Sequence, residues 1–276
     1  MSVIAHNRRV FQLPSLRWLT RHTELLRTLL RRELRARYKG SALGAFWTLL
    51  YPLVMMGVYT LVFSELWRAV DVPHYPLFFL SAFAVWAFFQ SSIQVGAASL
   101  PANGQLIKKV WFPRELVPTA VVLTQAVTTL VMLAVLVPVF LVVVPETART
   151  MLLAVPLLAA LFCLTLGLTW LIATANVFFR DVEHLIGVLF LPWFFLTPVL
   201  YSLEHLPAAG EHAWLVTILR YGNPVTPYVE SIRGALLQGE VAGAGMLAYT
   251  FIVGPAIALL GLWVIQRYED QFAVEL

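Results

Sequence analysis

Charge is what this chain has least of. Only 12% of its 276 residues are Asp, Glu, Lys or Arg, about half of the roughly 25% that clothes an ordinary soluble domain. Nineteen basic and fifteen acidic side chains cannot cover a 31.0 kDa globule. With 60% hydrophobic residues, 18 Phe, 9 Trp and 9 Tyr, the composition rules out a soluble fold and leaves an integral membrane protein. Cysteine is nearly missing too. Cys163 stands alone inside an apolar run, which excludes a disulfide framework and a cysteine-based metal site. Phosphate-binding machinery is absent as well: no GxxxxGK[ST] occurs. The turn Gly40-Ser41-Ala42-Leu43-Gly44 lacks the lysine and hydroxyl that a P-loop needs after its second glycine. The two glycines have GxxxG spacing, a weak packing signal at a helix boundary.

The long apolar runs lack ionisable groups altogether. They cover 44–64, 75–107, 116–145, 150–179, 185–203 and 241–266, and none contains Asp, Glu, Lys, Arg or His. Intramembrane charge would mark ion coupling or a voltage sensor, so both are disfavoured. Ser81, Ser91 and Ser92 have no intramembrane histidine or lysine to activate them. No catalytic residue and no metal ligand is assigned to this chain. The nearest thing to a polar catalytic set is Asp181, Glu183 and His184, which leaves a membrane enzyme acting on a lipid-linked sugar as the minor alternative.

About 20 apolar residues cross a bilayer, so the runs predict an all-α integral membrane fold. Six transmembrane helices are expected at about 44–66, 75–100, 116–145, 150–178, 185–203 and 243–266. The fifth holds Pro192 and Pro198 and is expected to be kinked or partly re-entrant. No cleavable signal peptide is expected, because the first long apolar run starts near Gly44 and is too long for a signal core.

What charge there is has been sorted. Residues 1–40 hold ten Lys/Arg against Glu24 and Glu33. If six spans put both termini on one side, fifteen of the nineteen basic groups lie there. Arg68, Arg149, Arg220 and Arg233 lie opposite. That bias puts both termini in the cytoplasm. It also reads the basic segment as a topology signal and lipid contact rather than a nucleic-acid site. Within it, Leu25, Leu26, Leu29, Leu30 and Leu34 recur at helical spacing over 16–38, with Ser15 as N-cap. Such a basic amphipathic helix lies in the membrane interface or docks on a soluble partner.

Two further segments stand apart from the spans. Residues 101–114 form a helix stop and a short amphipathic piece carrying Asn103, Gln105, Leu106, Ile107, Lys108, Lys109 and Val110. It is either an interfacial turn or a short helix inserted into a partner's cleft. Residues 204–240 are too long for a plain connector and are expected to form two short helices folding back into the outer leaflet. The second, 228–238, is amphipathic with Glu230, Arg233 and Gln238 on polar positions, and Asn223 and Pro224 stand in the break before it. The first two spans are rich in aromatics and amides: Trp47, Tyr51, Tyr59, Phe63, Trp86, Phe89 and Gln90. These are lipid-facing bulk or the lining of a conduit suited to sugar rings.

Several stretches together resemble the membrane subunit of bacterial ABC-2 type polysaccharide exporters, the O-antigen permeases among them. They are the run from Glu33 to Gly44 with Trp47 and Pro52, the loop Ile107-Lys108-Lys109-Val110-Trp111-Phe112-Pro113-Arg114-Glu115, the link Asn176-Val177-Phe178-Phe179-Arg180-Asp181-Val182, and Asn223-Pro224 followed by Glu230 and Arg233. The resemblance implies a homodimer of six-span subunits joined to two copies of a separate ATP-binding subunit. That partner carries the ATP and Mg, and no cofactor belongs to this chain. It implies that residues 1–43 form the interface helix and 44–276 the transmembrane domain, with the coupling helix within 101–114 and outer gate helices in 204–240. The implied substrate is a long glycan on undecaprenyl pyrophosphate, with Arg31, Arg32, Arg35, Arg37 and Lys39 placed to meet its pyrophosphate. Teichoic-acid or capsule export, and small-molecule efflux by the same fold, are the alternatives.

Overall fold

The computed structural model describes residues 16–40, 46–66, 72–205 and 213–276. Ser15, Gly44, Arg68 and residues 206–212 of the long loop lie outside the described residues. The first helix, α1 (Leu16–Tyr38), stops at Gly40, whose φ of 77° is the left-handed conformation that closes helices. Gly40 therefore terminates a helix instead of packing a helix pair through GxxxG. Next comes α2 (Trp47–Tyr59), which widens into π-type turns over Thr60–Leu66. Then α3 (Tyr75–Ala97) starts with Pro76 in its first turn, where proline's missing N–H goes unneeded. Two short pieces, α4 (Ser99–Ala102) and α5 (Gly104–Lys109), lead into α6 (Leu116–Val143). The chain continues through α7 (Ala154–Phe178) and α8 (Val182–Leu196). The short helices α9 (Ala213–Thr217) and α10 (Thr226–Arg233) follow, and α11 (Ala244–Glu275) closes the order.

Among the described residues, five helices are long and apolar enough to span a bilayer: Trp47–Leu66, Tyr75–Ala97, Leu116–Val143, Met151–Phe178 and Ala244–Glu275. The fifth expected span differs. The 15 residues of α8 reach about 22 Å at ~1.5 Å per residue, short of the ~30 Å of hydrocarbon. It ends at Leu196 because Thr197 is extended (ψ 133°) and Pro198 follows, and a residue before proline is pushed out of the helical region. The last helix runs on to Glu275, past the expected end at 266, because Phe272 and Glu269 are buried against the rest of the fold.

Two buried clusters hold the helices together. The larger gathers the aromatic face of α3 with α6, α7, α8 and α10, around Phe79, Trp86, Phe89, Phe140, Phe190 and Tyr228. The smaller lies at the α5 end and joins Leu29 of α1, Ile107 of α5, Phe112, Trp170 of α7 and Phe272 of α11. The tightest pairing is between α7 and α11, which cross at Gly167 and Gly261. A Cβ at either position would run into the other helix's backbone, on Ile257 at one and on Gly167 at the other. Lipid supplies no hydrophobic drive between helices, so close backbone approach of this kind is what packs them.

This crossing predicts a contrast. Gly261→Ala should lower the thermal unfolding midpoint in detergent, reflecting about 1–3 kcal/mol of overpacking. Gly57→Ala, in α2 with nothing near its missing Cβ, should be neutral or stabilise by up to ~1 kcal/mol.

Candidate functional site

At the α5 end, the side chains expected to engage a partner divide by direction. Ile107 is 2% exposed and packs into the smaller cluster, Leu106 is half-buried, and Gly104 lies against Leu276. Gln105, Lys108, Lys109 and Val110 face outward, as does the adjoining Trp111, 60% exposed. Asn103 turns inward to cap the preceding turn, donating to the Ser99 carbonyl (2.8 Å) while accepting from Arg32 of α1 (2.6 Å). Arg32 is therefore a tie between the amphipathic helix and α5. The segment continues into a buried polar knot. The Trp170 indole donates to the Glu115 carbonyl (3.2 Å), Gln266 of α11 donates to the Glu115 carboxylate (3.4 Å), and Arg114 faces Asp270 (4.0 Å). Glu115 is 3% exposed and burial pushes its carboxyl above the usual range, against the smaller opposing pull of Gln266, His22 and Arg114.

The expected conduit residues do not share one surface. Trp47 and Tyr51 are more than half exposed, while Tyr59 and Phe63 are half-buried. Trp86 and Phe89 are fully buried in an aromatic stack with α8: Trp86 meets Phe190 edge-on (5.9 Å between ring centroids) and Phe89 meets Trp193 (5.3 Å). Gln90 accepts from the Trp86 indole at 2.7 Å. Tyr59 touches Phe79 (5.2 Å) and Phe194 (6.1 Å), so α2, α3 and α8 are joined ring to ring. Each such pair adds about 0.5–1.5 kcal/mol beyond area burial.

At the opposite end, the four residues expected in an outer gate are internal anchors. The Asn223 carboxamide oxygen accepts from the Trp193 indole (2.9 Å) and from the Val225 N–H (3.1 Å), and its nitrogen donates to Thr197 (2.8 Å). It thus staples the end of α8 to the turn at Pro224 that opens α10. Glu230 pairs with Arg220 through two contacts, 3.0 and 3.4 Å. Arg233 donates to the Pro198 carbonyl (2.7 Å) and lies 4.0 Å from the centre of the Phe78 ring, a cation–π contact strengthened by desolvation. Burial pulls the Arg233 guanidinium down to about 10, still protonated at neutral pH. The segment from Tyr228 was expected to be amphipathic with Arg233 on its polar face; instead Tyr228, Val229, Ser231, Ile232 and Arg233 are all buried. The helix sits among α3, α7 and α11, where a polar side needs partners instead of water.

The basic side chains of α1 are also dispersed. Arg31, Arg35 and Lys39 are exposed. Arg37 is exposed as well, and donates to Gln125 (2.7 Å) and Thr128 (3.0 Å) of α6. Its charge was expected at the membrane edge, with the spans free of charge. Gln125 stands nine residues inside α6, about 13 Å from its start at ~1.5 Å per residue. Asn176, near the end of α7, joins elements in a way that the sequence pattern does not single out. Its carboxamide donates to the Ala97 carbonyl at the end of α3 (2.9 Å) and accepts from the Glu183 N–H at the start of α8 (3.1 Å). An amide inside an apolar helix was the available signal. Trp193 and Thr197 carried none.

Comparison with known proteins places this geometry. The family model described as ABC-2 type transporter matches residues 24–237. The O-antigen export system permease protein RfbA of Myxococcus xanthus is 31% identical over 262 residues, covering 93% of this chain and 97% of that protein. A permease of the same name from Klebsiella pneumoniae is 28% identical over 251 residues, with 91% and 94% covered. The polysialic acid transport protein KpsM of Escherichia coli is 21% identical over 248 residues, with 87% and 91% covered.

The buried carboxyl of Glu115 generates a pH prediction. A native value raised above the ordinary carboxylate value of about 4.3 means the folded state holds its proton more tightly than the unfolded chain. Ionisation then works against folding, so this contribution declines as pH rises from the ordinary range to the raised value and stays low above it. Glu115→Gln should raise the unfolding midpoint relative to wild type at pH 8 and bring a smaller gain at pH 5, read by thermal unfolding in detergent.

Proposed function

The chain belongs to the ABC-2 type transporter family, and from that premise we propose that it is the permease subunit of an ATP-driven exporter of lipid-linked, O-antigen-type polysaccharide. The observation that carries this proposal is likeness over more than nine-tenths of both chains to permeases named for O-antigen export. The protein is a multi-pass membrane protein. In the proposed assembly it resides in the bacterial inner membrane with both termini cytoplasmic, and α8 with the residues after it serves as the fifth of six passes. Two copies pair, and each seats on one of two separate ATP-binding subunits that carry ATP and Mg. The substrate glycan rides on undecaprenyl pyrophosphate, and the basic face from Arg31 to Lys39 meets the pyrophosphate at the inner leaflet.

The packing supplies a route for force. The partner would press on Gln105, Lys108, Lys109 and Val110, and the push would pass through Leu106 and Ile107 into the cluster around Phe112, Trp170 and Phe272. The Arg32–Asn103 bond would carry α1 along, and Asn176 would relay the movement of α3 to α8. Trp47 and Tyr51 on their exposed face are the conduit residues left for sugar rings, while Tyr59, Phe63, Trp86, Phe89 and Gln90 support the wall from behind. Asn223, Pro224, Glu230 and Arg233 hold the outer helices in register with α8. Capsule or teichoic-acid export, or small-molecule efflux, is the lesser reading; the polysialic acid transport protein KpsM matches at lower identity.

Two measurements test the proposal. Deleting the gene should leave glycan accumulating on undecaprenyl lipid inside the cell and strip it from the surface. An unchanged surface glycan in a strain without a redundant exporter would refute it. In the coupling segment, Val110→Asp should reduce co-purification of the ATP-binding subunit severalfold while leaving the permease's own unfolding midpoint unchanged. Ile107→Asp should lower that midpoint, since it places a carboxylate in the buried cluster at a cost of several kcal/mol.

A further inference from the structure

The last helix makes specific bonds at both ends of the protein. Thr250 and Phe272 stand 22 residues apart in α11, about 33 Å at ~1.5 Å per residue, close to the ~30 Å depth of the hydrocarbon. At the α5 end, Phe272 is buried in one cluster with Ile107 and Phe112, and Gln266 donates to the Glu115 carboxylate. At the α10 end, the Tyr228 hydroxyl donates to the Thr250 carbonyl (2.8 Å). The Tyr249 hydroxyl donates to the Tyr221 carbonyl (3.1 Å), in the turns that follow α9.

Along its length α11 is pressed to α7. Gly254 of α11 meets the Ala160 carbonyl, and Gly261 meets Gly167, each so closely that a Cβ would clash. The two contacts lie on either side of Pro255, whose missing N–H removes a bond from the helix ladder. The partner helix thus splints α11 where its own backbone is weakest.

Two side chains grip this pair, one at each end. Glu115, directly after the coupling segment 101–114, takes both helices: its carbonyl accepts from Trp170 of α7 and its carboxylate from Gln266 of α11. Tyr228, in the first turn of α10, fills the notch where the two helices meet. A Cβ on Gly254 would lie 2.5 Å from the Ala160 oxygen and 2.7 Å from the Tyr228 oxygen. Tyr228 is fully buried, so its hydroxyl cannot trade the Thr250 carbonyl for water, and parting from it leaves a buried polar group unpaired. The start of α10 must therefore follow α11 when α11 moves.

We infer that Glu115 and Tyr228 are positioning residues for transport: they clamp the α7–α11 pair at its two ends, so that movement of the coupling segment reaches the short outer helices α9 and α10. The inference rests on the export proposal and extends it, adding a path along α7 and α11 to the one through Asn176 and α8.

The test uses the complete transporter, permease with its ATP-binding subunit, in lipid nanodiscs. Amide hydrogen exchange of residues 213–238 is measured with and without MgATP plus vanadate. The wild type should show a nucleotide-linked difference in these helices. Tyr228→Phe keeps the ring and loses the bond, and should shrink that difference about fivefold, the factor that one buried hydrogen bond carries. Glu115→Leu should do the same from the other end, and the double variant should be no worse than either single one, as for two links in one chain. Glu115→Gln keeps a carbonyl oxygen for Gln266 and should restore the difference. Tyr201→Phe loses a bond of the same kind, to the Phe195 carbonyl (3.0 Å), away from α11, and should leave the difference intact. Should Glu115→Leu fail to assemble, Gln266→Leu removes the same bond. A packing role alone would shift exchange equally in both nucleotide states, and that result overturns the assignment. So does an undiminished difference in Tyr228→Phe and Glu115→Leu, or a wild type without any difference, each leaving the export proposal standing. A permease that forms no complex with an ATP-binding subunit overturns both.

Discussion

A polar group held in hydrocarbon without a partner costs several kcal/mol, and nearly every specific feature of this protein answers to that constraint. It is why the spans are helices, each backbone group bonded within its own segment. It is also why the few amides and cations that enter the packed body are tied down. Asn176 bonds one helix end and the next helix start. Asn223 satisfies both ends of its carboxamide. Arg233 is held by a carbonyl and an aromatic face. Several of these bonds join elements far apart in the chain: Asn176 to Ala97, Asn223 to Trp193 and Arg233 to Pro198.

The same constraint divides the molecule into two working ends. At the α5 end, Arg32–Asn103 and the knot around Glu115 bind α1, α5, α6, α7 and α11 into one block, so a push on α5 is a push on all of them. At the α10 end, Asn223, Arg220–Glu230 and Arg233 bind α8 to the short helices and to α3. Between the two ends lie the glycine crossing of α7 with α11 and the aromatic seam of α3 with α8. Both are close contacts with few polar atoms.

Arg37 ties α1 to α6 from an exposed position, through two neutral partners, Gln125 and Thr128. The long apolar runs carry no Asp, Glu, Lys, Arg or His, and in the proposed assembly the energy arrives at the α5 end.

Apolar run length and charge asymmetry determined the class of fold, five of the spans and the basic amphipathic helix, because a bilayer demands about 20 apolar residues whatever their neighbours are. The run 185–203, expected to be kinked or partly re-entrant at its prolines, forms a 15-residue helix that Pro198 halts after Leu196. Which side chains face inward was beyond local pattern. Ile107 and Val110 are both apolar and nearly adjacent, yet one enters a cluster completed by Phe272 and the other faces outward. Trp86 was as plausible a conduit residue as Trp47 until α8 covered it. Arg233 looked like a polar face until α3 brought Phe78 beneath it. Helical spacing tells which residues share a face; only the packing of other helices decides what that face meets, since burial is a property of the neighbours and not of the residue.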